Sequence, residues 1–199
     1  KRQIIGTFVM VSCYTQFYLV TTWILSYGIG DKELDLGLGI PYLEFLEIQL
    51  ISIFMFILGI PVSSMLSDKY GRKPILVATS IVMIAFGFSF PYFLGIEVAD
   101  RNSVLGFLLI GMFAMGLIFG PMSAVLPELF PTNVRYTGSG IAYNVSSILG
   151  AAVAPFIATW LVREFNVNYV GYYLIAVCFI SLIAILIMKE LKDQDLSEV

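Results

Sequence analysis

Long apolar stretches separated by short charged connectors make up nearly the whole chain. Marking every Asp, Glu, Lys and Arg leaves six charge-free stretches of at least 20 residues. At a rise of about 1.5 Å per residue, about 20 helical residues cross the ~30 Å hydrocarbon core of a bilayer. The pattern therefore predicts an all-α membrane protein, a six-helix bundle with spans over about residues 4–27, 46–67, 74–96, 103–127, 137–162 and 166–188.

The composition indicates that most of the protein's surface faces lipid rather than water. Hydrophobic residues make up 59% of the 199 residues and charged residues 13%, against about 25% charged in ordinary soluble domains. A soluble domain of this size has too little interior for so much apolar surface, so a lipid bilayer is the expected partner. The net charge of −3 sits at the ends of the apolar stretches. The sequence has no basic patch that would favour nucleic acid.

The connectors predict the orientation. Lys and Arg number eight on one side and three on the other. Cytoplasmic connectors are enriched in these residues, so the eight-charge side is predicted to be cytoplasmic, with both termini on it. The eight are Lys1, Arg2, Lys69, Arg72, Lys73, Arg135, Lys189 and Lys192.

Metal, cofactor and enzyme chemistry are not indicated. The chain has no histidine, and its two cysteines, Cys13 and Cys178, lie deep inside apolar stretches. No ionisable Asp, Glu, Lys or Arg occurs near the middle of a span. An intramembrane enzyme needs a nucleophile with a base, paired carboxylates or a metal at membrane depth. A proton pathway also usually needs such a group, so a proton carrier is expected elsewhere.

The first span is the most polar. Tyr14, Tyr18 and Thr21 are spaced i, i+4 and i+7 and share one helix face. Polar groups in lipid need partners, so this face is expected to point into the bundle. Both a water-filled substrate path and plain hydrogen bonding between helices fit the pattern. The same two alternatives apply to Gln49 and Asn144.

Two connectors carry dense polar motifs. Residues 66–74 read LSDKYGRKP, with four charges between Asp68 and Lys73. The turn fits three roles: a topology signal, a solvated connector or a moving part. Residues 127–144 read PELFPTNVRYTGSGIAYN and lie between the fourth and fifth predicted spans.

These motifs resemble those of a known family. SMLSDKYGRKP resembles the signature loop of the major facilitator superfamily, roughly G-x-x-x-D-[RK]-x-G-R-[RK]. Ser64 replaces its leading glycine, which favours the weaker second copy of the loop, between helices eight and nine. The 127–144 run is most similar to the metabolite:proton symporter family, which carries α-ketoglutarate, citrate, shikimate and proline/betaine. The first span, YTQFYLVTTWILSYG, is similar to that family's seventh helix.

The resemblance implies the C-terminal half of a transporter, helices seven to twelve, built as 3+3 inverted repeats. It implies alternating access and proton-coupled symport of a small organic acid or compatible solute across the bacterial cytoplasmic (inner) membrane. The implied partners are that substrate, protons and an N-terminal six-helix half, with no cofactor. The chain begins KRQIIG without Met, and a fragment is expected. A sugar-type facilitator and a six-helix channel or scaffold subunit are the alternatives.

The resemblance also implies site residues. A cytoplasmic gate is expected from charged and turn residues at the ends of the spans: Asp68, Gly71, Arg72, Lys73, Glu128 and Arg135. Physically, Arg72 is expected to fork onto Glu128. The substrate cavity is expected to be lined by Tyr14, Tyr18, Gln49, Met115, Phe119 and Asn144.

Overall fold

The structure is a computed structural model that describes residues 2–189. That part of the chain is helical, with short connectors between the helices. The α-helices are α1 Arg2–Tyr18, α2 Ile24–Ile29, α3 Tyr42–Tyr70, α4 Arg72–Gly87, α5 Phe90–Leu94, α6 Arg101–Glu128, α7 Arg135–Ser147, α8 Val153–Glu164 and α9 Val167–Ile187. A first π-helical turn, Leu19–Trp23, joins α1 to α2, and a second, Ile148–Ala152, joins α7 to α8.

Within residues 2–189, five helical segments are long and apolar enough to cross a membrane. They are Arg2–Ile29, Tyr42–Tyr70, Arg101–Glu128, Arg135–Glu164 and Val167–Ile187. Large apolar side chains on their outer surfaces are exposed, among them Leu50 and Phe54 of α3 and Phe156 of α8. A bilayer would cover these surfaces, since hydrocarbon is the solvent that such side chains prefer.

The stretch 74–96, predicted as one span, is not one helix. It forms α4 and the five-residue α5, with a turn at Phe88 and Ser89 between them. Pro91 explains the break, because its ring lacks an N–H and clashes with the carbonyl four residues earlier, that of Gly87. α4 ends at Gly87.

The main helix contacts are α3 with α6, α4 with α9, and α1 with α7, α9 and the second π-helical turn. The α3–α6 crossing brings two glycines together. A Cβ added to Gly59 would lie 2.9 Å from the Cα of Gly116 and 2.7 Å from the carbonyl oxygen of Phe113. Glycine is thus required at this crossing for the backbones to approach so closely.

Side chains in the connectors set where some of the helices begin. The carboxylate of Asp100 accepts a 2.7 Å bond from the backbone N–H of Ser103, and the Ser103 hydroxyl accepts from the N–H of Asp100. This reciprocal capping box starts α6. The bond from the Ser103 backbone holds the pKa of the Asp100 carboxyl below its ordinary value. Pro41 lies directly before α3, and prolines are common at the starts of helices.

Candidate functional site

The turn between α3 and α4 depends on Gly71. Its backbone has φ 106° and ψ 159°, a region that is essentially reserved for glycine. The residue ends α3 and directly precedes Arg72, the first residue of α4. Gly71 thus makes a tight turn, which fixes where the Arg72 side chain starts.

Replacing Gly71 with alanine is expected to lower the free energy of unfolding by about 1–3 kcal/mol, the usual cost of a residue held in a disfavoured backbone region. Thermal unfolding of the full-length protein in detergent would measure this. Gly140→Ala is the matched control, because a Cβ there meets nothing within 4 Å. Equal melting temperatures for the two variants would contradict the expectation.

Arg72 joins two helix ends. Its Nε and Nη2 each lie 3.4 Å from a carboxylate oxygen of Glu128, at the end of α6, so the guanidinium forks onto that carboxylate. Its Nη1 pairs with the carboxylate of Asp68, one turn earlier, and lies 3.3 Å from the hydroxyl of Ser67. The side chains of Arg72 and Glu128 are only 18% and 23% exposed. Because two N–H groups of the planar guanidinium each face one carboxylate oxygen, such a pair requires a specific geometry.

The two carboxylates stabilise the charged form of the Arg72 guanidinium. The hydrogen bond with Asp68 is the largest cause of a raised pKa at Arg72, and Glu128 acts in the same direction against the effect of burial. The guanidinium is therefore charged at any physiological pH. We call Asp68, Arg72 and Glu128 the inner ion cluster.

Lys73 and Arg135, also expected in the gate, each bond oxygen atoms of the backbone or of a hydroxyl. The Nζ of Lys73 lies 2.6 Å from the carbonyl oxygen of Leu186 and 2.8 Å from that of Met188. It therefore caps the C-terminal end of α9, where a cation complements the helix dipole. Arg135 donates to the carbonyl oxygen of Phe130 and to the hydroxyl of Thr132 in its own connector. Spacing along the sequence places a charge at one end of the bundle but does not specify its neighbour.

A second ion cluster lies at the opposite end of α3 and α6 and was not predicted. Arg101 places its Nε 3.2 Å from Glu44 and its Nη2 3.6 Å from Glu47. The side chains are 36–66% exposed, and exposed pairs of this kind contribute little to stability. The sequence contains one sign of this cluster, because all three residues lie at helix starts on the same predicted side of the membrane.

A groove of about 750 Å³ runs between α1, α6 and α7. It lies beside the end of α6 that carries Glu128, and Tyr136, 92% exposed, stands at that end. Every residue lining it is uncharged. The lining consists of Met10, Cys13, Phe119, Met122, Ser123, Leu126, Pro127, Tyr136, Thr137, Ser139, Gly140, Ile141, Tyr143, Asn144 and Val145. A mostly apolar concavity with a few neutral polar groups is typical of a small-molecule site.

Two of the six expected cavity residues, Phe119 and Asn144, line this groove. Asn144 also donates through its Nδ2 to the carbonyl oxygen of Gly140 at 2.8 Å. Tyr14 is 8% exposed and meets the ring of the groove residue Tyr143 edge-on, at 5.3 Å between centroids. It is not itself among the residues that line the groove.

The other three expected cavity residues have different surroundings. Met115 is 1% exposed and lies in the core, one helical turn beyond Phe119. The amide of Gln49 donates to the carbonyl oxygen of Thr21 at 2.9 Å, so it joins two helices. Tyr18 packs on Phe17 with 5.3 Å between ring centroids. None of the three lines the groove.

The groove residues that the sequence reading missed are mostly on α7. Tyr136, Gly140 and Tyr143 are spaced i, i+4 and i+7, so they share one helix face. That spacing is visible in the sequence.

Comparison with known proteins places these features in a family. Residues 4–197 match the model of the Major Facilitator Superfamily. The resemblance inferred from the two connector motifs is thereby confirmed.

Curated relatives are similar along nearly the whole chain. It is 42% identical over 196 residues to the inner membrane metabolite transport protein YhjE of Escherichia coli, covering 97% of this chain and 43% of that protein. It is 30% identical to the glycine betaine/proline/ectoine/pipecolic acid transporter OusA of Dickeya dadantii, covering 94% and 36%. It is 29% identical to a shikimate transporter of Escherichia coli, covering 87% and 38%. The chain thus spans less than half the length of these relatives.

Proposed function

Because this chain belongs to the Major Facilitator Superfamily, we propose that it forms one half of a secondary transporter for a small organic acid or compatible solute. The transporter works by alternating access and is coupled to protons. The observation that carries the proposal is the uncharged groove that ends beside the inner ion cluster. A solute path and a breakable ionic contact at its end are the two parts that such a mechanism needs.

The inner ion cluster acts as the gate in this proposal. Arg72 ties the start of α4 to the end of α6, and α6 and α7, with the connector between them, carry most of the groove lining. A change in the Arg72–Glu128 contact would therefore reach the groove through α6. Gly71 supports the gate by setting the backbone from which Arg72 projects.

Helix packing supports an arrangement in inverted repeats of three. Let the first three segments be α1–α2, α3 and α4–α5, and the last three α6, α7–α8 and α9. A two-fold axis would exchange the first segment with the fourth, the second with the fifth and the third with the sixth. Under this exchange the α3–α6 contact corresponds to the contact of α7–α8 with α1, and the α4–α9 contact corresponds to itself. The α1–α9 pair becomes α6–α4, and α3–α4 becomes α8–α9. Each of these contacts is present, as a pseudo-two-fold axis requires.

A second six-helix half completes the transporter in this proposal. The relatives are more than twice as long as the matched region, which leaves room for such a half. The groove has one side made by this chain, and the other half would supply the opposite side. We place the inner ion cluster and both termini in the cytoplasm of a bacterium, since eight of the eleven Lys and Arg residues lie on that side of the spans.

Proton coupling would depend on the other half. Within the described residues, the ionised side chains lie at helix ends and connectors rather than at mid-span. A proton carrier at membrane depth requires an ionisable group, so the proposed carrier residue belongs to the N-terminal half.

Uptake by the reconstituted full-length protein tests the proposal. Proteoliposomes would receive a panel of labelled organic acids, betaines and sugars, with and without an inwardly directed proton gradient. We expect an acid or betaine to accumulate at least several-fold more with the gradient. Equal uptake with and without the gradient would reject symport, and preferential uptake of a sugar would favour the facilitator alternative.

A further inference from the structure

A second cavity lies between the ends of α2 and α8, and we call it the α2–α8 pocket. Its volume is about 260 Å³, and it shares no lining residue with the groove. The lining includes the charged residues Asp31 and Arg163, together with Thr159, Trp23 and Tyr27. Asp31 and Arg163 are both exposed and lie just beyond the ends of the first and fifth predicted spans. The pocket is therefore open to water rather than enclosed in lipid.

Packing holds the aromatic side of the pocket in place. Trp23 and Tyr27 lie about one helical turn apart, and their rings stack at 5.2 Å between centroids with 14° between their planes. The two residues are only 2% and 3% exposed. The hydroxyl of Tyr27 donates to the carbonyl oxygen of Leu94 at 2.9 Å. The rings thus form a fixed apolar surface that a ligand would not have to reorganise, which lowers the cost of binding.

Hydrogen bonds also fix the connector that carries Asp31. The N–H of Leu36 donates to the carbonyl oxygen of Asp31 at 3.0 Å, and the N–H of Leu38 donates to that of Tyr27 at 2.9 Å. One oxygen of the Asp31 carboxylate accepts from the backbone N–H of Glu33 at 2.9 Å. The carboxylate is therefore oriented before a ligand arrives.

The two charges that line the pocket do not neutralise each other. Within residues 2–189, neither Asp31 nor Arg163 forms an ion pair with another side chain. The guanidinium of Arg163 also makes no hydrogen bond to that part of the chain. Arg163 lies four positions after Thr159 on α8, so the two side chains share one helix face. A carboxylate and a guanidinium from different elements thus border the same small space.

A small zwitterion would satisfy both charges at once. A guanidinium binds a carboxylate through two parallel N–H···O bonds, and an ammonium group is attracted both by a carboxylate and by the faces of aromatic rings. The volume of about 260 Å³ is smaller than the ~300–1,000 Å³ of pockets for drug-sized ligands, so the ligand has about the size of an amino acid. A ligand with only one charge would leave Asp31 or Arg163 without a partner, which disfavours it.

We propose that the α2–α8 pocket is a binding site for a zwitterion of amino-acid size. The carboxylate of the ligand pairs with Arg163, and its ammonium group lies between Asp31 and the rings of Trp23 and Tyr27. This site is separate from the groove, and it does not depend on the proposed function.

Protection of an introduced cysteine tests this inference in the purified full-length protein. Ser26 lines the pocket and is exposed, so Ser26→Cys is expected to react with a maleimide, with the unsubstituted protein as the blank. Glycine betaine at about 10 mM, tenfold above a dissociation constant of about 1 mM, should slow this reaction about tenfold. Leu34→Cys is the matched control, because Leu34 is 65% exposed in the adjoining connector and does not line the pocket. Its reaction rate should not change.

Two analogues of the probe test the two charges of the ligand. tert-Butylacetate has the shape of glycine betaine without the ammonium charge, and choline has the ammonium group without the carboxylate. We expect that about fivefold more of either analogue is needed for the same protection, the upper effect of one exposed ion pair.

A substitution of Arg163 tests the protein side of the contact. Arg163→Gln should weaken protection by glycine betaine by about 10- to 100-fold, the usual effect of losing hydrogen bonds to a charged group. Arg101→Gln is the matched control, because Arg101 is also an exposed arginine on that side of the spans and does not line the pocket. It should leave the protection unchanged.

Four results would overturn the inference: no protection of Ser26→Cys by glycine betaine, equal protection by either analogue, protection that survives Arg163→Gln, and equal protection of Leu34→Cys. The last result would mean that binding elsewhere covers the whole connector. Protection is measured without uptake. A protein that transports none of the tested solutes would therefore count against the proposed function and leave the result on the pocket intact.

Discussion

Replacing Arg72 with alanine is expected to reduce the initial rate of solute uptake by about 10- to 100-fold in the full-length protein. The substitution removes both arms of the fork onto Glu128 and the pairing with Asp68. Hydrogen bonds to charged groups contribute about 1.5–3 kcal/mol, and each ~1.4 kcal/mol is a tenfold change in a rate or a population. Since the Glu128 side chain is only 23% exposed, the variant also leaves a poorly solvated carboxylate without its partner.

Arg135→Ala is the comparison that makes this result specific. Arg135 has the same charge and lies at the same end of the bundle, but it bonds Phe130 and Thr132 within its own connector. Its loss is expected to lower uptake by less than threefold. A charge exchange, Arg72→Glu with Glu128→Arg, should recover part of the rate lost in either single variant. Wild-type rates in Arg72→Ala, or equal losses in the two alanine variants, would contradict the gate.

Replacing Gly116 with valine is expected to destabilise the bundle more than any of the other substitutions considered above. A Cβ on Gly116 would lie 2.5 Å from the carbonyl oxygen of Phe56 and 2.9 Å from the Cα of Gly59. These are backbone atoms, so α3 and α6 would have to move apart. Overpacking usually costs about 1–3 kcal/mol and occasionally more, and separation of a whole helix pair places this variant at the upper end.

The melting temperature of the full-length protein in detergent would report this effect. Gly140→Val is the control, because a Cβ on Gly140 meets nothing within 4 Å. It adds the same side chain to a helix without a clash, so we expect only the small cost of a β-branched residue. A Gly116→Val protein as stable as Gly140→Val would refute the close α3–α6 contact.

Much of the fold could be predicted from the spacing of charges alone. A stretch free of charge and longer than 20 residues has few alternatives in a chain this apolar. Charge spacing does not show where a single residue interrupts the helix within such a stretch. Pro91 sits within the apolar residues 74–96 and splits them into α4 and α5. Hydropathy does not register the missing N–H of a proline, so only its backbone chemistry would have revealed the break.

The inner ion cluster was predictable for a related reason. Arg72 and Glu128 are 56 positions apart, but each lies at a helix end on the same side, in a motif whose resemblance was recognisable. Lys73 is adjacent to Arg72 and was expected in the same gate, and its long side chain reaches the end of α9. Which neighbour a surface cation meets depends on tertiary packing, which local sequence does not encode.

The cavity residues were the hardest to predict. α6 is apolar on all sides, so periodicity does not distinguish the buried Met115 from the groove residue Phe119, one turn away. The π-helical turns were also not predicted. In the first of them the amide of Gln49 bonds the carbonyl oxygen of Thr21, a contact between residues 28 positions apart that local sequence does not reveal.

Solute counterflow tests the central claim most directly. Proteoliposomes containing the full-length protein would be loaded with a high concentration of unlabelled solute and diluted into a trace of the labelled form, with no ion gradient. A carrier that alternates between two open states exchanges one solute for the other. We therefore predict a transient accumulation of label inside the vesicles, which Arg72→Ala strongly reduces. Label that only equilibrates across the membrane, or does not enter at all, would contradict the account and favour a channel or a scaffold subunit.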